Sequence, residues 1–113
     1  MEKILNSLYQ QIAETVNEMI QEDWLEFYFY AQISDDGGGI YFFYLPETNP
    51  ERYEYSLEIP FKYQVNEREF KLNKRKLLLL AEQMRDIFKD NGQELWVFLY
   101  FKFRKDRKIK SSL

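Results

Sequence analysis

The sequence predicts an α+β fold: a two-layer sandwich in which two long helices pack on one face of a mostly antiparallel sheet of about four strands, in the order α-β-β-β-α-β. Three observations carry this expectation. Two long segments repeat their apolar residues every three or four positions. Four shorter segments alternate every second position or are apolar throughout. The three middle strands follow one another through turn sequences rather than crossover helices, as antiparallel neighbours do. At 113 residues, with no internal repeat or linker composition, the chain is expected to be one domain, 1–113, with a basic tail over about 102–113.

The first element is a helix from Lys3 to about Gln21. Ile4, Leu5, Leu8, Ile12, Val16, Met19 and Ile20 form one amphipathic stripe, with Gln10, Glu14, Asn17 and Glu18 opposite. From Trp24 to Ile33 the period becomes two. Leu25, Phe27, Phe29, Ala31 and Ile33 are the uniformly apolar set expected to face the core, and Trp24, Glu26, Tyr28, Tyr30 and Gln32 the mixed set expected to meet water or a partner. A second strand, Gly39 to Leu45, follows the hexapeptide SDDGGG. That hexapeptide lies between two strands, has no GK[ST] and opens no helix, so it is a hairpin turn rather than a phosphate loop. It also lacks the spaced oxygen ligands of a calcium loop. Tyr53, Tyr55, Leu57 and Ile59 alternate, which suggests a third strand over Arg52–Glu58 ended by Pro60, with FKYQV as a connector. Asn66 with Glu69 three residues on is a variant capping box that opens a helix over Glu67–Asp90. Its stripe is Phe70, Leu77, Leu80, Ala81, Met84, Ile87 and Phe88, and Asn91-Gly92 supplies the stop. The last strand, ELWVFLYFKF, is apolar on both faces, as a central or well-covered strand would be, and runs into RKDRKIKSSL, a basic end expected to fray.

Composition narrows the chemistry. With no Cys and no His, thiol nucleophiles, Ser-His-Asp triads and Cys/His zinc sites are excluded. The adjacent carboxylates Asp35/Asp36 and Glu22/Asp23 diverge on an extended chain, so no metal site, cofactor or catalytic residue is expected. Glu2, Glu14 and Glu18 interrupt the N-terminal apolar residues, and no window approaches the roughly 18 apolar residues of a membrane span. The expectation is a cytoplasmic protein with no membrane contact. The net charge of −3 conceals an asymmetry: residues 1–70 carry 14 Asp/Glu against 4 Lys/Arg, and residues 71–113 carry 5 against 12. Ten Phe, nine Tyr and two Trp exceed what so small a core buries, so some rings should lie on the surface.

Those rings and acids suggest a partner-binding face. Tyr28, Tyr30, Tyr41 or Tyr44, and Tyr53 or Tyr55 would recur across neighbouring strands among Glu26, Glu47, Glu51, Glu54 and Glu58. Tyrosine brings large contact area at low entropic cost, and carboxylates would complement a basic nucleic-acid cleft. The competing reading packs the same rings beneath the helices or the tail. The candidate partner-binding residues are Glu26, Tyr28, Tyr30, Asp35, Asp36, Tyr44, Glu51, Tyr53 and Glu54.

YQQIAETVNEMI, the Trp-containing strand, SDDGGGIYFFY with a proline soon after, IPFKYQVNE, the long helix and FKDNGQELWVFLYF resemble, in that order from Leu8 to about Phe101, the YezG-like family of antitoxin and immunity proteins. The resemblance implies a small, non-enzymatic cytoplasmic protein without cofactors. It implies a protein partner, a cognate nuclease toxin, typically the C-terminal domain of a polymorphic toxin exported by a type VII secretion system. It transfers no catalytic or binding position to this chain. Family members usually continue past the last strand with at least one more, whereas here the sequence turns basic. Two other classes stay open. The six Lys/Arg between Lys102 and Lys110 would suit a nucleic-acid-binding module, and a metal-dependent hydrolase would need carboxylates that converge. An open sheet edge would also allow a homodimer.

Overall fold

The computed structural model describes residues 2–92 and 98–105. Its sheet is organised by the hairpin of β1 (Trp24–Ser34) and β2 (Gly37–Pro46). Ser34 faces Gly37 across the two-residue turn Asp35-Asp36, and this closure sets Tyr30 opposite Tyr41, Phe29 opposite Phe42 and Phe27 opposite Tyr44. The turn is therefore the two aspartates, and the glycines open β2. Gly37 takes a φ of +131°, which side chains disfavour. A Cβ on Gly38 would collide with the backbone carbonyl oxygen of Gln32.

At the other end of the hairpin the register slips. Trp24 pairs with Pro46 but Glu26 pairs with Leu45, which leaves Leu25 as the extra residue of a β-bulge. One inserted residue reverses which side chains point inward. Trp24 is thus buried with Phe27, and Leu25 is 36 % exposed, the reverse of the alternation expected from sequence. The indole N–H of Trp24 donates to Asn17 Oδ1 at 2.9 Å, so its polar atom is satisfied there.

The sheet order is β3-β2-β1-β4, antiparallel throughout. β3 is only Glu54–Tyr55, shorter than the expected Arg52–Glu58. Ser56 cuts the ladder: its hydroxyl, at the next pairing position, accepts the Phe42 N–H at 3.1 Å, and the chain turns into a 3₁₀ turn (Ser56–Glu58) and the short helix α2 (Ile59–Lys62). Pro60 sits in the first turn of α2, where its missing N–H costs nothing. The connector expected to be irregular is therefore partly helical. Among the described residues β4 (Phe98–Arg104) pairs only with β1 and lies at the sheet edge, not centrally. Residues 94–97 of the expected last strand and the tail from residue 106 lie outside the described residues.

Both long helices lie on one face of this sheet. α1 (Glu2–Met19) buries Leu8, Ile12, Val16 and Met19, while Ile4 in its first turn stays exposed. α3 (Glu67–Asp90) has the bounds expected from sequence, and the Glu69 N–H donates to the Asn66 side chain at 3.1 Å in the anticipated cap. Phe70, Leu77, Leu80, Ala81 and Met84 of α3 pack over Phe27, Phe29, Ile40 and Phe42. Each fully buried phenylalanine contributes roughly 1.5–3 kcal/mol relative to exposure. The helices cover one face, and no described element covers the other.

Candidate protein-binding face

The uncovered face of the sheet is paved with rings. Along β1, Tyr28 and Tyr30 point away from the helices, and the register adds Tyr41 and Phe43 from β2, Tyr55 from β3, and Phe98 and Tyr100 from β4. Tyr30 is the hub. It stacks on Tyr41 at 4.9 Å between ring centroids and on Tyr100 at 5.7 Å, and meets Phe43 edge-on at 6.1 Å. Phe43 in turn stacks on Tyr55 at 4.9 Å, so the rings run unbroken across all four strands. Tyr53, from the loop before β3, leans on Tyr28 at 5.7 Å. Burial, then the neighbouring Glu26 and Tyr28, push the Tyr53 phenol above its ordinary value, with Lys102 acting the other way.

The acids expected among these rings are not free charges on this face. Glu26, its Oε2 buried, holds Lys102 at 2.7 Å, and the same ammonium lies 5.5 Å above the Tyr28 ring. The bond to Glu26 raises the Lys102 pKa. Glu54 lies opposite Tyr44, on the helix side, and pairs with Lys62 of α2 at 2.5 Å. Asp35 sits at the hairpin tip, 3.8 Å from Arg85 of α3, while Asp36 and Glu51 are exposed in a turn and a loop. The face is aromatic rather than acidic.

Of the nine candidate residues, the structure brings Glu26, Tyr28, Tyr30 and Tyr53 together and disperses the rest. Tyr44 is a correction. It is fully buried on the helix side, because the hairpin closure puts it opposite Phe27. Its hydroxyl donates to Glu22 Oε2 at 2.8 Å, beside that of Tyr63 at 2.7 Å, and Thr48 donates to Oε1 at 3.2 Å. Burial alone would raise the Glu22 pKa, but the hydrogen bonds from Tyr63, Tyr44 and Thr48, with the charge of Lys62, hold it below the usual value. Burial and Glu22 push the Tyr44 phenol up strongly. This carboxylate ties the α1–β1 link to β2 and to the connector before α3.

Tyr41, Phe43, Tyr55, Phe98 and Tyr100 belong to the face and are absent from the candidate set. A signal for Tyr41 existed: a two-residue turn at Asp35-Asp36 sets Tyr30 opposite Tyr41, whereas IYFFYL by itself is aromatic on both faces. Among the described residues no three Asp, Glu, His or Cys side chains gather to hold a metal, and no helix is long and apolar enough to cross a membrane. Half of the basic run on which a nucleic-acid reading rests, Arg107, Lys108 and Lys110, lies outside the described residues.

The fold is α+β, and its most developed described surface is this exposed face of rings. The chain matches the family described as "Immunity protein YezG-like" over residues 5–112, and it belongs to that family. It is 32 % identical over 111 residues to "Type VII secretion system protein EsaG" of Staphylococcus aureus (strain NCTC 8325 / PS 47), covering 98 % of this chain and 68 % of that protein. It is 35 % identical over 96 residues to "Immunity protein YezG" of Bacillus subtilis (strain 168), covering 84 % of this chain and 62 % of the relative. The Bacillus spizizenii (strain ATCC 23059 / NRRL B-14472 / W23) protein of the same name is 34 % identical over 99 residues, covering 87 % of this chain and 60 % of the relative. The chain thus spans between three-fifths and about two-thirds of the length of these relatives.

Proposed function

We propose that this protein is an immunity protein that binds a cognate nuclease toxin inside the cell and blocks its substrate by occlusion, using the aromatic face centred on Tyr30. Family membership supports the immunity role, and the type VII secretion name of one relative supports a toxin exported by such a system. The observation that carries the choice of surface is the unbroken run of exposed and half-exposed rings from Tyr100 through Tyr30 and Tyr41 to Tyr55. Contiguous apolar area of this kind marks contact sites, and tyrosine is enriched among the residues that dominate binding energy. The hairpin tip, with Asp35 and Asp36 exposed, would steer a basic partner toward that face.

The test is co-expression with nuclease domains encoded beside the gene, scored by growth rescue and co-purification. Wild type rescues. Tyr30→Ala and Tyr41→Ala each weaken binding by about 2 kcal/mol, roughly thirtyfold. Reversal of Asp35 and Asp36 slows association, most of all at low salt. Folded Tyr30→Ala and Tyr41→Ala variants that bind as tightly as wild type would remove this surface. Failure of the wild-type protein to rescue growth or co-purify with any of the encoded nucleases would remove the nuclease reading.

A further inference from the structure

Among the described residues β4 is an edge strand. The Lys105 N–H donates to the Leu25 carbonyl at 2.9 Å in the same register that sets Arg104 opposite Glu26. In an antiparallel ladder the hydrogen-bonded pairs alternate, so Leu99, Phe101 and Phe103 spend their backbone groups on β1. The N–H and C=O groups of Phe98, Tyr100, Lys102 and Arg104 then point outward, where no described strand pairs with them. Protected edges carry a proline, a bulge, an inward-facing charge or surface charges such as lysine. Phe98–Arg104 has no proline, no bulge and no charge facing the helices, where Leu99, Phe101 and Phe103 are apolar and half-buried; its Lys102 and Arg104 stand on the open face.

From this pattern we infer that the protein forms a symmetric dimer in which β4 pairs antiparallel with β4 of a second copy about a two-fold axis at Phe101. The outward groups all belong to even-numbered residues, so only pairings of even with even residues make a ladder, and the register centred on Phe101 uses all seven residues. It sets Tyr100 against Lys102 of the second copy and Phe98 against Arg104 of the second copy, a ring facing a cation at each of four places on the open face. On the helix side it sets Phe101 against Phe101 and Leu99 against Phe103, an apolar seam. Centring instead on Lys102 opposes two ammonium groups, which is destabilising. The charge order along the strand, two rings and then two cations on the open face, is thus self-complementary in one register. The two four-stranded sheets join, and the two aromatic faces become one. This inference is independent of which toxin, if any, the face meets.

The experiment is sedimentation velocity on the full chain from micromolar to near-millimolar concentration, with amide exchange followed over the same range. Tyr100 is 60 % exposed, so substitution there spares the monomer fold. A concentration-dependent dimer is expected, with slowed exchange at the amides of Phe98, Tyr100, Lys102 and Arg104. Tyr100→Lys opposes lysines at two symmetry-related places and weakens the dimer on the order of tenfold or more. Tyr100→Glu places a carboxylate opposite Lys102 and keeps the dimer. A monomer at every concentration overturns the inference. So does a dimer that Tyr100→Lys leaves intact, or one that Tyr100→Glu abolishes, since that would mean Tyr100 faces itself. Exchange at the outward amides that does not change with concentration in the wild-type protein overturns it without reference to any variant.

Discussion

Replacing Glu22 by alanine takes the acceptor from the buried Tyr44 hydroxyl, 2.8 Å away, and from the half-buried Tyr63 hydroxyl at 2.7 Å. Tyr44 is fully buried, so losing its charged acceptor costs about 1–3 kcal/mol even with the Tyr63 hydroxyl beside it, and the lost bond from Tyr63 adds about 1 kcal/mol. The exposed Thr48 contributes little. Glu22→Ala should therefore destabilise the fold by about 2–4 kcal/mol. Tyr44→Phe in the wild-type protein removes one bond to a charged group and costs about 1.5 kcal/mol. In the Glu22→Ala background the same change should cost little, because the hydroxyl has already lost its charged acceptor. Urea unfolding of the four proteins, with unchanged denaturant slopes, closes the cycle. The coupling expected is about 1.5 kcal/mol, and costs that add to within about 0.5 kcal/mol would refute the argument that this carboxylate is what satisfies the buried phenol.

The same carboxyl sets a pH dependence. Its folded pKa lies below the ordinary 4.5, so the stability it brings is complete above that value and is lost as pH falls through the folded pKa. The urea midpoint of the wild type should consequently drop more steeply on acidification below that value than the midpoint of Glu22→Ala, and parallel curves would show that Glu22 is not the linked group. Gly38→Ala drives a methyl into the Gln32 carbonyl and should destabilise by about 1–3 kcal/mol as the hairpin shifts to admit it, read from the same unfolding curves; Gly39→Ala, where a Cβ meets nothing within 4 Å, is the control.

The helices and their order were legible along the chain because their determinants are local. Apolar spacing marks α1, and the Asn66 cap with the Asn91-Gly92 stop bounds α3 at Glu67–Asp90 through bonds reaching three or four residues. Family membership was legible too, since it rests on the order of short motifs. The site was legible only in half. Where one face of a strand is polar, alternation says which side is inside, but IYFFYL is aromatic on both, and only the Asp35-Asp36 closure sends Tyr44 inward and Tyr41 outward. The bulge at Leu25 then reverses that alternation for Trp24, a choice made by pairing with Pro46 rather than by any residue near it in sequence. Charge went the same way. Glu26, Glu54 and Asp35 read as free acids along the chain, and become paired because Lys102, Lys62 and Arg85 arrive from β4, α2 and α3. Composition determined that rings would reach the surface; cross-strand register and through-space ion pairing decided which rings, and that Glu26 among them stands paired with Lys102.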